Sequence, residues 1–517
     1  MPREWTEQQR HAITAQGGSI LVSAAAGSGK TAVLVERVIR MITAADHPVD
    51  ADRLLVVTFT RDAAAEMKQR IAQALADLLR DDPFDPQLLR QSKLLYTATI
   101  CTIDSFCGDL VKEYFHTLGV SADYRIADQS ELELLKAAAM DSAMEDFYNA
   151  DNDGFSELLD AFSGKGGDKN LRDTVLKIHS FLETQPFPDK WLDDMLQSYG
   201  ERRVAASLWG KIMIDYAVPA AAHCVNLCEN SMRQLADADE KLREKLAPVI
   251  EDDLVYFQRL QEKLLGDSWD AIVSAVQGYT AKALRAPRGY TEHPIKLAVA
   301  ANRNHVKDTV KRLQKYFCRT EEEAHSEFAE LQALVRVLFD LTRHYIERLD
   351  ELKHRKNVLT FSDIELLAVR LLATPDGDGY QKTAQGEEIS RRYDAVIVDE
   401  FQDVNDVQNL IFNCVSQNEE NLFTVGDVKQ CIYGFRQAKP QIFVGRKEHY
   451  ARYSAEAPQF PATIILDKNF RSRIEVCDSV NYIFSRLMTK ETAQMDYTAD
   501  EYLHVGFPYT HADGCET

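Results

Sequence analysis

At 517 residues the chain exceeds what one compact core holds, and length alone suggests about three domains. Its 45% hydrophobic and 27% charged residues are those of an ordinary soluble globular protein, no apolar run reaches the ~20 residues of a bilayer span, and Met1–Thr6 has no apolar leader core, so a cytoplasmic protein without membrane contact is expected. The net charge of −21 argues against unspecific attraction to nucleic acid but leaves a local basic groove open.

In chain order, Ser19–Ser23 reads as a buried strand followed by a helix from Lys30 to about Met41. Arg53–Phe59 is predicted as a second strand, Arg61–Leu79 as a helix, Leu94–Ile100 as a third strand and Ile103–Phe115 as a helix. Strands separated by helical patterns imply a parallel sheet with right-handed crossovers. From about Gln129 to Lys356 helical periodicity dominates, as in Ser130–Tyr148, Asp237–Leu265 and Glu321–His354, with loops at Gly164–Asp168 and Ala286–Gly289. This stretch is read as a helical domain inserted into the α/β core; a paired-helix array is the alternative, but no repeat of fixed period is visible. Strands return at Tyr393–Val398, Asn421–Val425 and Ala462–Leu466, so the sheet is expected to resume near residue 390. The nine cysteines are scattered without a C-x-x-C pair, and Cys224 and Cys228, four apart on a helix, are expected to be buried thiols rather than metal ligands.

Two motifs carry chemistry. Ala24-Ala25-Ala26-Gly27-Ser28-Gly29-Lys30-Thr31 lies between a strand and a helix, where a P-loop must lie. Small residues let backbone N–H groups approach phosphates, the helix start favours anions, Lys30 would reach the β- and γ-phosphates, and the Thr31 hydroxyl would coordinate Mg²⁺. Ala24 stands where the general pattern has its first glycine. The second motif, Val396-Ile397-Val398-Asp399-Glu400-Phe401-Gln402-Asp403, puts a carboxylate at the end of a buried strand. Asp399 could hold the Mg²⁺ that bridges the phosphates, and Glu400 could orient or deprotonate the attacking water. Either motif alone could be a structural turn; together they indicate an ATPase.

The string Asp399–Asp403 resembles motif II of UvrD/Rep-type superfamily 1 helicases, and further motifs of that family fall in order around it. Trp5-Thr6 with Gln9 and Ala12-Ile13 resembles the Q motif, which implies that Gln9 reads the adenine edge. Thr58-Phe59-Thr60 with Ala63–Met67 resembles motif Ia and Thr102–Phe106 motif Ic, which implies contact with single-stranded DNA through Thr58, Phe59, Thr60 and Thr102. Gly426–Arg436 resembles motif III: Gln430 would sense the γ-phosphate, Phe435 would stack on a base, and Arg436 would join the DNA surface. Asn469-Phe470-Arg471-Ser472 resembles motif IV, with Arg471 at the γ-phosphate and Phe470 beside the adenine; Arg37, in the string after the P-loop, is counted with the ATP site. A phenylalanine at a strand end is ordinarily core, so Phe59 and Phe435 rest on the resemblance.

Within the superfamily the likeness is closest to the AddA type of helicase–nuclease. It rests on Ser23–Ala26 leading into the P-loop, on Asp104 where relatives usually carry histidine, on the gap from Lys30 to Asp399, and on Leu359–Asp363 ahead of motif II. The resemblance implies an ATP-dependent 3′→5′ DNA helicase motor for double-strand-break repair, acting on single- and double-stranded DNA ends with an AddB-like partner subunit. The expected plan is a RecA-like α/β domain in two parts, 1–126 and 359–475, interrupted by a helical domain at 127–358, with a second motor domain beginning at 476–517. Past Ser472 no motif V, arginine-bearing motif VI or nuclease pattern is found, so the 517 residues are expected to bind ATP but to turn it over poorly alone. A RecB-like protein, a stand-alone UvrD-like helicase and an ATP-switched DNA-binding module without catalysis are the competing readings.

Overall fold

A computed structural model describes residues 4–507 except 151–152, 163–166, 202, 267, 433, 435–436 and 494. The chain forms two compact units, one from 1–143, 173–188 and 344–517, the other from 144–172 and 189–343.

The first unit is α/β. Its central sheet has seven strands: β1 (Ile20–Ala24), β2 (Leu54–Thr58), β3 (Thr99–Thr102), β4 (Ala395–Val398), β5 (Leu422–Gly426), β6 (Ala451–Arg452) and β7 (Ala462–Leu466). They run parallel in the order β6-β7-β1-β5-β4-β2-β3, so strands from before residue 127 and after residue 390 belong to one sheet. Successive strand side chains point to opposite faces. Leu21, Leu55, Val57, Val396 and Val398 accordingly enter one core, while Ile20, Val22, Leu54, Val56, Ile397 and Val425 enter the other. Covering both faces explains why these strands read as continuous apolar runs.

Helices α1 (Glu7–Thr14), α3 (Arg61–Asp81), α4 (Pro86–Leu94) and α5 (Ile103–Glu113) start at side-chain caps, whereas α2 (Lys30–Ile42) starts at the left-handed Gly29 without one. Thr6 and Gln9 form a reciprocal capping box at α1, and Asp85 caps α4 with Pro86 in its first turn. That cap corrects one expectation. Residue 94 ends a helix rather than opening a strand, and the third strand begins at Thr99, because Asp85-Pro86 starts a helix that buries Leu88 and ends at the buried cap residue Leu95.

Two short strands, Arg125–Ile126 and Val358–Leu359, pair in parallel where the main helical stretch begins and ends. The second unit is narrower than 127–358: residues 127–143, 173–188 and 344–358 pack with the α/β unit. It is built from helices, among them Leu208–Ala236, Glu240–Gly266 and Pro294–Tyr316, around a core that includes Phe257, Trp269 and Phe317. Inside it Arg303 Nε meets Asp253 Oδ2 at 2.7 Å, and the Tyr279 hydroxyl donates to Asp253 Oδ1 at 2.9 Å, so a buried charge is compensated within the unit. Cys224 and Cys228 are buried thiols in this core, and burial pushes them up to about 11 and about 12. No helix among the described residues is long and apolar enough to cross a membrane.

Candidate nucleotide-binding site

The carboxyl ends of parallel strands are where an α/β sheet offers backbone N–H groups and helix starts to a ligand. β1 ends at Ala24, paired with Leu466 of β7, and the chain turns through Ala25 and Ala26 into a loop that starts α2 at Lys30. Gly27 and Gly29 hold the left-handed conformation, with φ of 72° and 82°. A Cβ on Gly27 would lie 2.9 Å from Arg471 Cβ and 3.0 Å from Asn469 Oδ1, so glycine is needed for both conformation and space. Ser28 Oγ is buried and has no hydrogen-bond partner among the described residues.

β4 delivers the second group. Lys30 Nζ and Glu400 Oε2 form an ion pair at 2.9 Å. Glu400 is itself left-handed, with φ of 52°, and its N–H donates to Asp399 Oδ1 at 2.9 Å. Burial pushes Asp399 up to about 6, the Glu400 charge adds to this, and Lys30 opposes it. Gln402 then links neighbouring strand ends. Its Nε2 donates to Glu400 Oε2 at 2.9 Å and to Asp403 Oδ2 at 3.0 Å, and its Oε1 accepts the Asp427 N–H at 2.9 Å. Asp427, just past β5, accepts Gln430 Nε2 at 2.8 Å. Lys30, Glu400 and Gln430 are therefore parts of one network.

The Asn469–Ser472 turn closes the other side. Phe470 N–H donates to Gly27 O at 2.9 Å, while Asn469 Oδ1 accepts the N–H groups of Arg471 and Ser472 at 2.7 Å each. The Gln9 carboxamide spans the capping box and the loop, accepting Thr6 N–H at 3.0 Å and donating to Ser28 O at 2.9 Å. Arg37 is buried: Nη1 donates to Ala12 O at 2.8 Å, the guanidinium lies 4.0 Å from the Phe423 ring centre, and burial lowers it to about 10. In this structure it braces α1, the helix that carries Gln9.

Thr58 and Thr102 are register partners at the ends of adjacent strands β2 and β3. Thr58 Oγ1 donates to Thr60 O at 3.0 Å, whereas the Thr60 and Thr102 hydroxyls accept helix N–H groups as the caps of α3 and α5. Phe59 is half-buried between Thr58 and Thr60. Phe435 and Arg436 lie outside the described residues. Gln402, Asp427 and Asn469 stand within motifs, but sequence reasoning gives them no task; a buried, doubly bonded amide leaves no mark beyond its place in the string.

The oxygen donors Thr31 and Asp399 suit a hard divalent cation such as Mg²⁺. The left-handed glycines and the partnerless Ser28 hydroxyl form a cradle of the kind a phosphate group occupies.

A profile of the UvrD/REP helicase N-terminal domain matches residues 5–451. The chain is 36% identical to the A-type subunit of an ATP-dependent helicase/nuclease of Acetivibrio thermocellus, over 97% of this chain and 41% of that protein. Proteins of the same name from Thermoanaerobacter pseudethanolicus and Bacillus cereus are 36% and 37% identical, over 98% and 99% of this chain and 41% of each relative. The chain thus spans 41% of the length of these relatives. With the loop after β1, the carboxylates after β4 and a match over most of its length, the chain belongs to the UvrD/REP helicase N-terminal domain family.

Proposed function

We propose that this chain is the nucleotide-binding part of an ATP-dependent 3′→5′ DNA helicase motor of the AddA helicase/nuclease kind. The observation that carries the reading is the Lys30–Glu400 ion pair, continued through Gln402 to Asp427 and Gln430. It supports a site in which one basic and one acidic group face a phosphate chain. In this reading the P-loop backbone and Lys30 hold the β- and γ-phosphates, and Glu400, released from Lys30, orients and deprotonates the attacking water. Gln430 and Arg471 face the γ-phosphate, with Gln9 and Phe470 on the adenine side. Thr31 and Asp399 would hold Mg²⁺, which neutralises charge on the β- and γ-phosphates when bound.

Single-stranded DNA is proposed to pass over the ends of β2 and β3, at Thr58, Phe59, Thr60 and Thr102, and across Phe435 and Arg436. Hydroxyls and aromatic faces grip a strand without reading its sequence. The resemblance of the motifs to those of AddA-type helicase–nucleases adds an AddB-like partner, action at DNA ends and a role in break repair to the proposal.

The test is MgATP binding and steady-state hydrolysis by the 517 residues, with and without excess single-stranded DNA, beside Glu400→Gln. Binding with turnover that vanishes in the variant supports an ATPase whose site is complete in this chain. Binding without turnover supports a site completed elsewhere in the motor. Failure to bind MgATP removes the reading.

A further inference from the structure

Two of the most deeply buried carboxylates among the described residues of the α/β unit, Asp427 and Glu501, both pair with Lys429. Lys429, two residues past Asp427, has a side chain only 9% exposed and faces Asp427 Oδ1 at 2.9 Å. It also meets Glu501 Oε2 at 2.5 Å. Glu501 is 2% exposed, and its other oxygen accepts Lys447. A carboxylate this deep is costly unless paired, and here two ammonium groups pair it. Glu501 lies 72 positions from Lys429, and no motif marks it.

The segment that carries Glu501 is fastened along its length. His504 N–H donates to Asp467 O at 3.0 Å and Gly506 N–H to Asn469 O at 2.8 Å, making a short parallel pairing with Lys468-Asn469. Leu503 N–H donates to Asn481 Oδ1 at 2.9 Å. Gly506 lies against the ring of Phe470, where an added Cβ would stand 2.5 Å from Cε1. One strap, 501–506, thus touches the turn holding Phe470 and Arg471 and, through Glu501, the loop holding Gln430.

The Asp427 carboxylate is the junction. One oxygen takes Lys429 and the other takes Gln430 Nε2, while the Asp427 N–H is held by Gln402, which also binds Glu400. Glu501 restrains Lys429, Lys429 restrains Asp427, and Asp427 restrains Gln430. We propose that Glu501 is a positioning residue of the nucleotide site, holding Gln430 for recognition of the terminal phosphate of a nucleoside triphosphate. The inference rests on the proposed reading of Gln430.

It is tested by titrating the chain with Mg²⁺ and either ADP or a non-hydrolysable ATP analogue. The proteins compared are wild type, Glu501→Gln, Gln430→Ala and the double variant, with thermal melts alongside. Glu501→Gln is expected to bind the triphosphate analogue about tenfold more weakly while ADP affinity stays within about twofold. In the Gln430→Ala background, Glu501→Gln is expected to add nothing, because its effect passes through Gln430. Equal losses for both nucleotides, additive effects of the two substitutions, or an unchanged analogue affinity would overturn the inference. If Glu501→Gln does not fold, Lys429→Gln cuts the same link and is read by the same criteria. A wild type that binds neither nucleotide removes the proposed function and this inference with it, whereas a wild type that prefers the triphosphate beside an unaltered Glu501→Gln removes the inference alone.

Discussion

Lys30 Nζ and Glu400 Oε2 stand 2.9 Å apart, joined across 370 residues of sequence. The pair occupies both groups that the proposed chemistry needs, so an incoming triphosphate must compete with Glu400 for Lys30. Glu400→Gln removes the competing charge and keeps the side-chain shape. We expect its MgATP affinity to equal or exceed wild type while hydrolysis by the motor falls by about 10²-fold or more. Nucleotide titration with a single-turnover assay checks both. A large loss of affinity would show that Glu400 supports binding instead of opposing it.

Gly27→Ala is expected to damage the site from the opposite wall. The new Cβ would face Arg471 Cβ at 2.9 Å and Asn469 Oδ1 at 3.0 Å, on a backbone with φ of +72°. A left-handed non-glycine residue costs ~1–2 kcal/mol before any clash. The Asn469–Ser472 turn must move to relieve the clash, so MgATP affinity should fall by about tenfold or more with a lower melting temperature. Wild-type affinity in this variant would show that the contact between loop and turn is dispensable.

Both motifs were legible because each is contiguous and sits at a junction of strand and loop that apolar runs reveal. Connections of long range were not. Arg37 belongs to a string beside the P-loop, yet its guanidinium is taken up by Ala12 O and the Phe423 ring, partners that only the fold brings near. Residues 94–98 misled because Leu94, Leu95 and Tyr96 have the apolarity of a strand, while the decisive signal, the Asp85-Pro86 helix start, stands nine positions upstream of Leu94. The return of residues 173–188 to the α/β unit has no marker in helical periodicity, since either core accepts an amphipathic helix.

Thr60 separates capping from DNA contact. Its hydroxyl accepts the Ala63 N–H at 3.1 Å as the cap of α3, so loss of DNA binding in an alanine variant would be ambiguous. Aspartate caps as well as threonine and suits the helix dipole, but it puts a negative charge where a phosphate backbone is proposed to pass. Thr60→Asp should keep the melting temperature within about 1 °C while weakening single-stranded DNA binding by roughly fivefold at low salt. That difference should shrink as salt rises. Unchanged DNA affinity would make Thr60 a cap and nothing more.

Glu365 offers a pH test independent of the nucleotide. It lies on the helix Phe361–Leu372 and is 6% exposed, with Gln408 Nε2 donating to Oε1 at 2.8 Å. Burial pushes it from 4.5 up to about 7, Gln408 opposes the rise and Asp104 adds to it. A carboxyl raised on folding favours the folded state fully below its unfolded value, and that contribution is lost as pH climbs through the folded one. The window therefore runs from about pH 4.5 to pH 7, and at ~1.4 kcal/mol per unit the loss is on the order of 3 kcal/mol. Glutamine keeps an oxygen for Gln408 and carries no charge to bury. Glu365→Gln should therefore melt several degrees above wild type at pH 8 and close to it at pH 5. A gain of equal size at both pH values would mean that Glu365 does not titrate across this window, and that its ionised form is tolerated in the core at little cost.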